Sequence, residues 1–131
     1  MLEHVLDWPP MKAKSSEELS HESKVAAAQA LGRTANQLVE DGIDTPMEGS
    51  STLFRLLETN ASVEEIDAFL SMTTGDLRDC CLSDLTYMET EVQPPGYMVY
   101  CCGLPAINAG KRWREARPEV VAEAIRANDA R

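Results

Sequence analysis

Residues 62–89 read SVEEIDAFLSMTTGDLRDCCLSDLTYME, and the spacing of their apolar positions decides the fold class. Ser62 and Glu65 stand three apart, the pattern in which an N-cap hydroxyl and an N3 carboxylate satisfy each other's backbone donors. Behind that cap Val63, Ile66, Phe69 and Leu70 share one helical face, while Glu64, Glu65 and Asp67 lie largely away from it. Thr73, Thr74 and Gly75 end the run. From about Asp76 to Glu89 a second stripe follows, with Leu77, Cys81, Leu85 and Met88 at i, i+4, i+8 and i+11. Two successive amphipathic helices are predicted.

Toward the N-terminus the same signals recur. Ser15 and Glu18 are spaced as a capping box, which predicts a helix beginning at Ser16, with Val25, Ala28, Leu31 and Ala35 near one stripe. Gly32 interrupts that run and Thr34 with Gln37 repeats the capping spacing. Residues 16–43 therefore read equally as one long helix or as two helices meeting at Leu31-Gly32-Arg33, with Gly42 as the stop. DTPMEGSS (44–51) reads as a turn, followed by a short helix TLFRLLET capped by Ser50 or Ser51.

Toward the C-terminus, QPPG (93–96) is a turn signal, and YMVYCC (97–102) has the aromatic and β-branched texture of a short strand. GLPAINAG (103–110) reads as a loop with room for a second strand. Pro118 suits a first helical position, and Val120, Val121, Ala124 and Ile125 make an apolar face behind it. The expected fold is mainly α: a compact bundle of five or six helices with a small β element near residues 97–107. Residues 1–131 read as a single domain in which residues 1–14 are irregular or peripheral.

Composition sets the outer bounds. The 131 residues suffice to bury a core without staples, and only 5% are aromatic, so Leu, Val, Ile, Met and alanine must build it. No stretch approaches the roughly 20 apolar residues that span a bilayer. MLEHVLDWPP has acids where a signal peptide carries bases, so a cytoplasmic protein with reduced thiols is expected. The net charge of −10 is uneven: residues 40–91 hold thirteen acids against Arg55 and Arg78, while residues 111–131 are locally basic. Such a field repels nucleic acid and anionic membranes and attracts basic partners.

Four cysteines come in two adjacent pairs, Cys80–Cys81 and Cys101–Cys102. Neighbouring cysteines diverge by about 100° on a helix and point to opposite faces of a strand, so they do not offer the CxxC turn of a structural zinc site. A thiol among Asp76, Asp79 and Asp84 has its pKa raised, the wrong direction for a nucleophile. Core packing is the expected role, with a disulfide, a metal site and redox chemistry as the alternatives. His21-Glu22 lacks the second histidine of a zinc-protease helix, since position 25 is Val25, and His4 with Asp7 sits at a ragged end. No phosphate-cradling glycine pattern is present. No cofactor and no metal are expected, and an enzyme is the least favoured class.

Two further stretches stand out. LGRTANQLVEDGI (31–43) is similar to the central turn of ribbon-helix-helix antitoxins and repressors, in which a GR(S/T) turn links two helices. That resemblance covers residues 16–43 and implies a dimeric transcriptional regulator gathering Lys12, Lys14, Lys24 and Arg33 on DNA. KRWREAR (111–117) places Lys111, Arg112, Arg114 and Arg117 around Trp113, a combination common in binding hot spots. Its plain alternative is a Trp113 packed in the core among solvated or internally paired cations.

The expectation drawn from these features is a non-enzymatic acidic protein that binds another protein, as an inhibitor, an immunity or anti-defence protein, or an adaptor. Its partner would be a protein with a basic surface, such as a nucleic-acid-binding protein, with the acidic face standing in for a nucleic-acid backbone. Glu64, Glu65, Asp67, Asp76, Asp79 and Asp84 are the face expected to bind. Lys111, Arg112, Trp113, Arg114 and Arg117 are a secondary patch. No membrane partner is expected. The antitoxin-like regulator is the second reading, and it brings a homodimer with it.

Overall fold

Helix α1 runs unbroken from Ser16 to Glu40 in the computed structural model, which describes residues 15–88 and 103–130. Ser15 caps it as the sequence predicts, its hydroxyl accepting from the Glu18 amide at 3.1 Å. Gly32 makes no turn. A Cβ there would stand 2.5 Å from the Phe69 carbonyl oxygen, so the glycine lets α1 cross the next-but-one helix backbone to backbone. Thr34 turns its hydroxyl back to the Ala30 carbonyl at 3.0 Å rather than starting a new helix. The inter-helix turn on which the ribbon-helix-helix resemblance rests is therefore not formed. The chain leaves α1 through Asp41 and Gly42, the latter at φ 74, where the glycine accepts a left-handed conformation without strain.

Helix α2 (Pro46–Glu58) begins earlier than expected and takes in most of DTPMEGSS. Thr45 is the N-cap, accepting from the Glu48 amide at 3.2 Å, and Pro46 occupies the first turn, where its missing N–H costs nothing. Ser50 and Ser51, expected as caps, lie inside the helix and donate to the Met47 carbonyl at 2.9 and 3.1 Å. Gly49 faces α1 and α4; a Cβ there would meet the side chains of Leu77 at 2.7 Å and Val39 at 2.9 Å.

Helices α3 (Val63–Ser71) and α4 (Gly75–Tyr87) follow the predicted stripes. The capping box is formed: Ser62 Oγ accepts from the Glu65 amide at 3.2 Å, and the Glu65 carboxylate accepts from the Ser62 amide at 3.3 Å. Helix α4 lacks a cap from its own Thr74. Instead Asn36 of α1 accepts from the Thr74 amide at 2.9 Å, tying the two helices together.

The segment read as loop and second strand is helix α5 (Leu104–Ala116), which overturns the β element over residues 103–107; residues 97–102 lie outside those described, as do residues 1–14. Its buried positions, Ala106, Ala109, Gly110 and Trp113, have helical spacing, but three of them are too small to register as an apolar stripe. Gly103, at φ 84, and Pro105 begin it. Helix α6 (Pro118–Asp129) follows at once, with Pro118 in its first turn as predicted. Among the described residues there are six helices and no strand, and none of the helices is long and apolar enough to cross a membrane.

Leu53, Leu57, Ile66, Phe69, Leu77, Leu85 and Trp113, all essentially inaccessible, form one continuous core. Helix α1 packs mainly on α3 and α2, α2 on α4 and α5, and α6 on α4. Burying side chains of this size contributes about 1.5–3 kcal/mol each, which is why the packing stripe overrides weak local signals such as Gly32.

Candidate functional site

Helix α4 buries Leu77, Cys81 and Leu85 along one face. Asp76, Asp79, Cys80, Ser83 and Asp84 fall at i, i+3, i+4, i+7 and i+8, so they form one stripe on another face. That stripe is one wall of an open cleft of 690 Å³, whose other wall is α2 with Met47, Ser50 and Phe54. Met47 stands at the rim, 75% exposed, and Phe54 is half-buried. None of the described residues lining the cleft is basic.

The three cleft acids differ in setting. Asp76 and Asp79 are exposed, and Asp84 is half-buried. Burial pushes the Asp84 carboxyl above the ordinary carboxylate range, while the Ser50 hydroxyl beside it opposes the shift. The Ser50 hydroxyl also donates to the Met47 carbonyl at 2.9 Å. A carboxylate with part of its hydration removed gains more from an arriving cation than a fully solvated one does.

The other half of the predicted acidic face does not join this cleft. Glu64 is exposed on α3. Glu65 is buried, with its carboxylate committed to the Ser62 amide and hydroxyl. Asp67 is turned toward α5, where it accepts from Trp113 Nε1 at 2.9 Å and from Arg117 Nε and Nη2 at 3.0 and 2.6 Å. The six acids thus resolve into three on one cleft, two that hold the fold, and one surface residue.

The predicted basic patch is likewise taken apart by internal bonds. Trp113 is 1% exposed. Arg112 Nη2 donates to Asn60 Oδ1 at 2.6 Å and to the Asn60 and Ala61 carbonyls at 3.3 and 3.1 Å, filling acceptors where the chain turns out of α2 through a left-handed Asn60. Arg114 donates to the Leu85 carbonyl at 2.9 Å, in the last turn of α4, where unpaired carbonyls favour a cation. Arg117 pairs with Asp67, and Lys111 remains exposed on α5. This cationic stretch is a set of struts joining α5 to α3, α4 and the α2–α3 turn.

Cys81 is fully buried in the core, and burial first, then Asp84 and Cys80, push its thiol up to about 12, far from a thiolate at neutral pH. Cys80 borders the cleft. Cys101 and Cys102 lie outside the described residues, as do His4, Asp7, Lys12 and Lys14. Among the described residues no group of three or more His, Cys, Asp or Glu side chains is placed to hold a metal ion. His21 is exposed on α1.

Sequence reasoning missed the opposite wall, Met47, Ser50 and Phe54, because 44–51 read as a turn. The overlooked signal was Thr45-Pro46 followed by Glu48, an N-cap, a first-turn proline and an N3 acid in series. It also missed Glu119 and Glu123, which stand across α4 on α6 in a segment whose net charge is positive. Comparisons of the chain with family models, with curated proteins and with solved structures find no match in any of the three.

Proposed function

We propose that this chain is a non-enzymatic binding protein that captures a basic protein partner through the cleft between α2 and α4, acting as an inhibitor, an anti-defence or immunity protein, or an adaptor. The observation that carries this reading is the convergence of Asp76, Asp79 and Asp84 on one open cleft with no basic residue among the described residues of its lining and with apolar Met47 and Phe54 beside them. Carboxylates set around accessible apolar side chains suit a partner that brings lysine or arginine together with an apolar anchor. The internal use of Arg112, Arg114 and Arg117 adds to the asymmetry, since these cations are tied into the fold while the cleft acids line accessible space. The direction of the field favours association with a basic site over direct contact with nucleic acid.

The test is a capture from native lysate run in parallel with two baits, the native chain and its Asp76→Lys/Asp84→Asn variant, after nuclease treatment and under reducing conditions. A stoichiometric protein retained by the native chain, released at high salt and absent from the variant is the expected result. Equal capture by both baits, or capture that disappears with nuclease, would sink the reading.

A further inference from the structure

Helix α6 is amphipathic, yet none of its twelve residues is buried. Val120 and Val121 pack partly against the core, Ala124 is half-exposed, and Ile125 is 39% exposed. Between α6 and α4 runs an open groove of 460 Å³. Its floor is apolar, made by Leu82 of α4 with Val120, Ala124 and Ala127 of α6. Its rim carries Asp79, Glu119 and Glu123 against Arg78, and Glu123 also accepts from Arg126 Nη2 at 2.6 Å in an exposed pair along α6. Asp79 and Ser83 line this groove and the α2–α4 cleft alike, so α4 is a ridge with an acid-edged channel on each side.

The shape and chemistry of the groove restrict its occupant. A floor containing two alanines lets another backbone come close, and an apolar strip edged by charged residues of two helices suits one face of a helix. A second copy of this chain is a poor occupant. Glu119, Glu123 and Asp79 would face their own counterparts, and each copy brings a net charge of −10. A helix with an apolar stripe flanked by lysine or arginine meets both the floor and the rim.

We propose that the α4–α6 groove is a helix-docking site, in which an amphipathic basic helix of the protein partner lays its apolar stripe on Leu82, Val120, Ala124 and Ala127 and directs its cations to Asp79, Glu119 and Glu123. The proposal rests on the reading of the chain as a binder of basic proteins, and it extends that site across α4. The partner then grips the α4 ridge from both sides.

The probe is a fluorescein-labelled 18-residue peptide of leucine, alanine and lysine with its leucines at i, i+3, i+4 and i+7, paired with a permuted peptide of identical composition that has no apolar stripe. Fluorescence anisotropy against the full chain is expected to give at least tenfold tighter binding of the striped peptide. Filling the groove with Ala124→Trp should cancel most of that preference while the Asp76→Lys/Asp84→Asn variant keeps it. Far-UV circular dichroism checks that Ala124→Trp is folded, and Ala127→Trp serves as a second plug nearer the helix end. Independently of any variant, amide shifts in the native chain should cluster at residues 78–83 and 119–128. Equal, salt-dependent binding of both peptides would overturn the groove while leaving the acidic-docking reading standing. Failure of both peptides to bind at low salt would overturn the two together. Shifts confined to the α2–α4 cleft would also overturn the groove assignment.

Discussion

Helices α4 and α5 each carry a run of charge that reads as a binding surface, and the fold treats them in opposite ways. On α5 the cations flank Trp113, the largest side chain in the core. Arg112, Arg114 and Arg117 reach from beside it to the carbonyls of Asn60, Ala61 and Leu85 and the carboxylate of Asp67, while Lys111 stays exposed. On α4 the acids occupy a stripe to one side of Leu77, Cys81 and Leu85, so burying the core face leaves them along an open cleft. The lesson concerns what packs beside each run: acceptors of α3, α4 and the α2–α3 turn lie within reach of the α5 arginines, whereas an open cleft lies beside the α4 acids.

The strongest way to break that contrast is through Trp113. Trp113→Ala removes a fully buried indole and its bond to Asp67, and a loss of about 3–5 kcal/mol in chemical denaturation is expected. A loss below 1 kcal/mol would mean that α5 is not anchored as described. Gly32→Ala comes next. Its Cβ would collide with the Phe69 backbone, which cannot swing aside as a side-chain end could, so a destabilisation of about 1–3 kcal/mol should appear in the same assay. A neutral or stabilising result would contradict the close crossing of α1 and α3.

Smaller effects sharpen the comparison. Arg117→Ala breaks an ion pair whose partners are 39% and 38% exposed, so a cost of about 0.5–1 kcal/mol is expected, shrinking in high salt. A salt-independent cost would show that Arg117 acts through packing rather than charge. Asp84→Asn should move stability least, and in the opposite direction. Because its pKa is raised in the folded chain, the native state binds a proton more readily than the unfolded one, and Asp84 lowers stability as pH rises from about 3.8 through that raised value. The variant is therefore expected to melt slightly higher than the native chain at pH 7 and to lose that advantage toward pH 4. A lower Tm at neutral pH would show that the carboxylate contributes a favourable contact that outweighs its burial.

The same contrast changes how the acidic surface should be tested. Reversing Glu64, Glu65 and Asp67 together, the obvious choice from sequence, would remove the Ser62–Glu65 capping box and the Asp67 anchor of α5 along with any docking charge. A loss of binding in that variant would report damage to the fold. Asp76 and Asp84 separate the two effects.

Much of the fold was legible because the signals were local. The caps at Ser15 and Ser62, the stripes of α3 and α4, and Pro118 at the head of α6 appear where the spacing places them. The errors share a cause. Gly32 left one helix and two equally open and is a contact, Gly49 sat in an apparent turn and is a helix crossing, and Ala106, Ala109 and Gly110 looked like loop and form a buried face. Small residues carry little hydrophobic signal, and their role exists only when another part of the chain, the Phe69 backbone at Gly32 or the Leu77 and Val39 side chains at Gly49, lies against them. The cleft was half legible: its acids could be placed on one stripe of α4, but the α2 wall facing them could not.

The sequence by itself determined a mainly helical chain, the concentration of acid in its middle third, and which face of α4 is apolar, since these follow from composition and the 3.6-residue period. Only the tertiary structure decided which charges remain available to a partner. Glu65, Asp67, Arg112, Arg114 and Arg117 are drawn into the fold because packing or a helix end brings each within hydrogen-bond reach of a partner, from the Ser62 amide to the Ala61 and Leu85 carbonyls and the Asp67–Arg117 pair. Asp76, Asp79 and Asp84 meet the cleft because α2 packs beside them without covering them, a relation that no local spacing encodes.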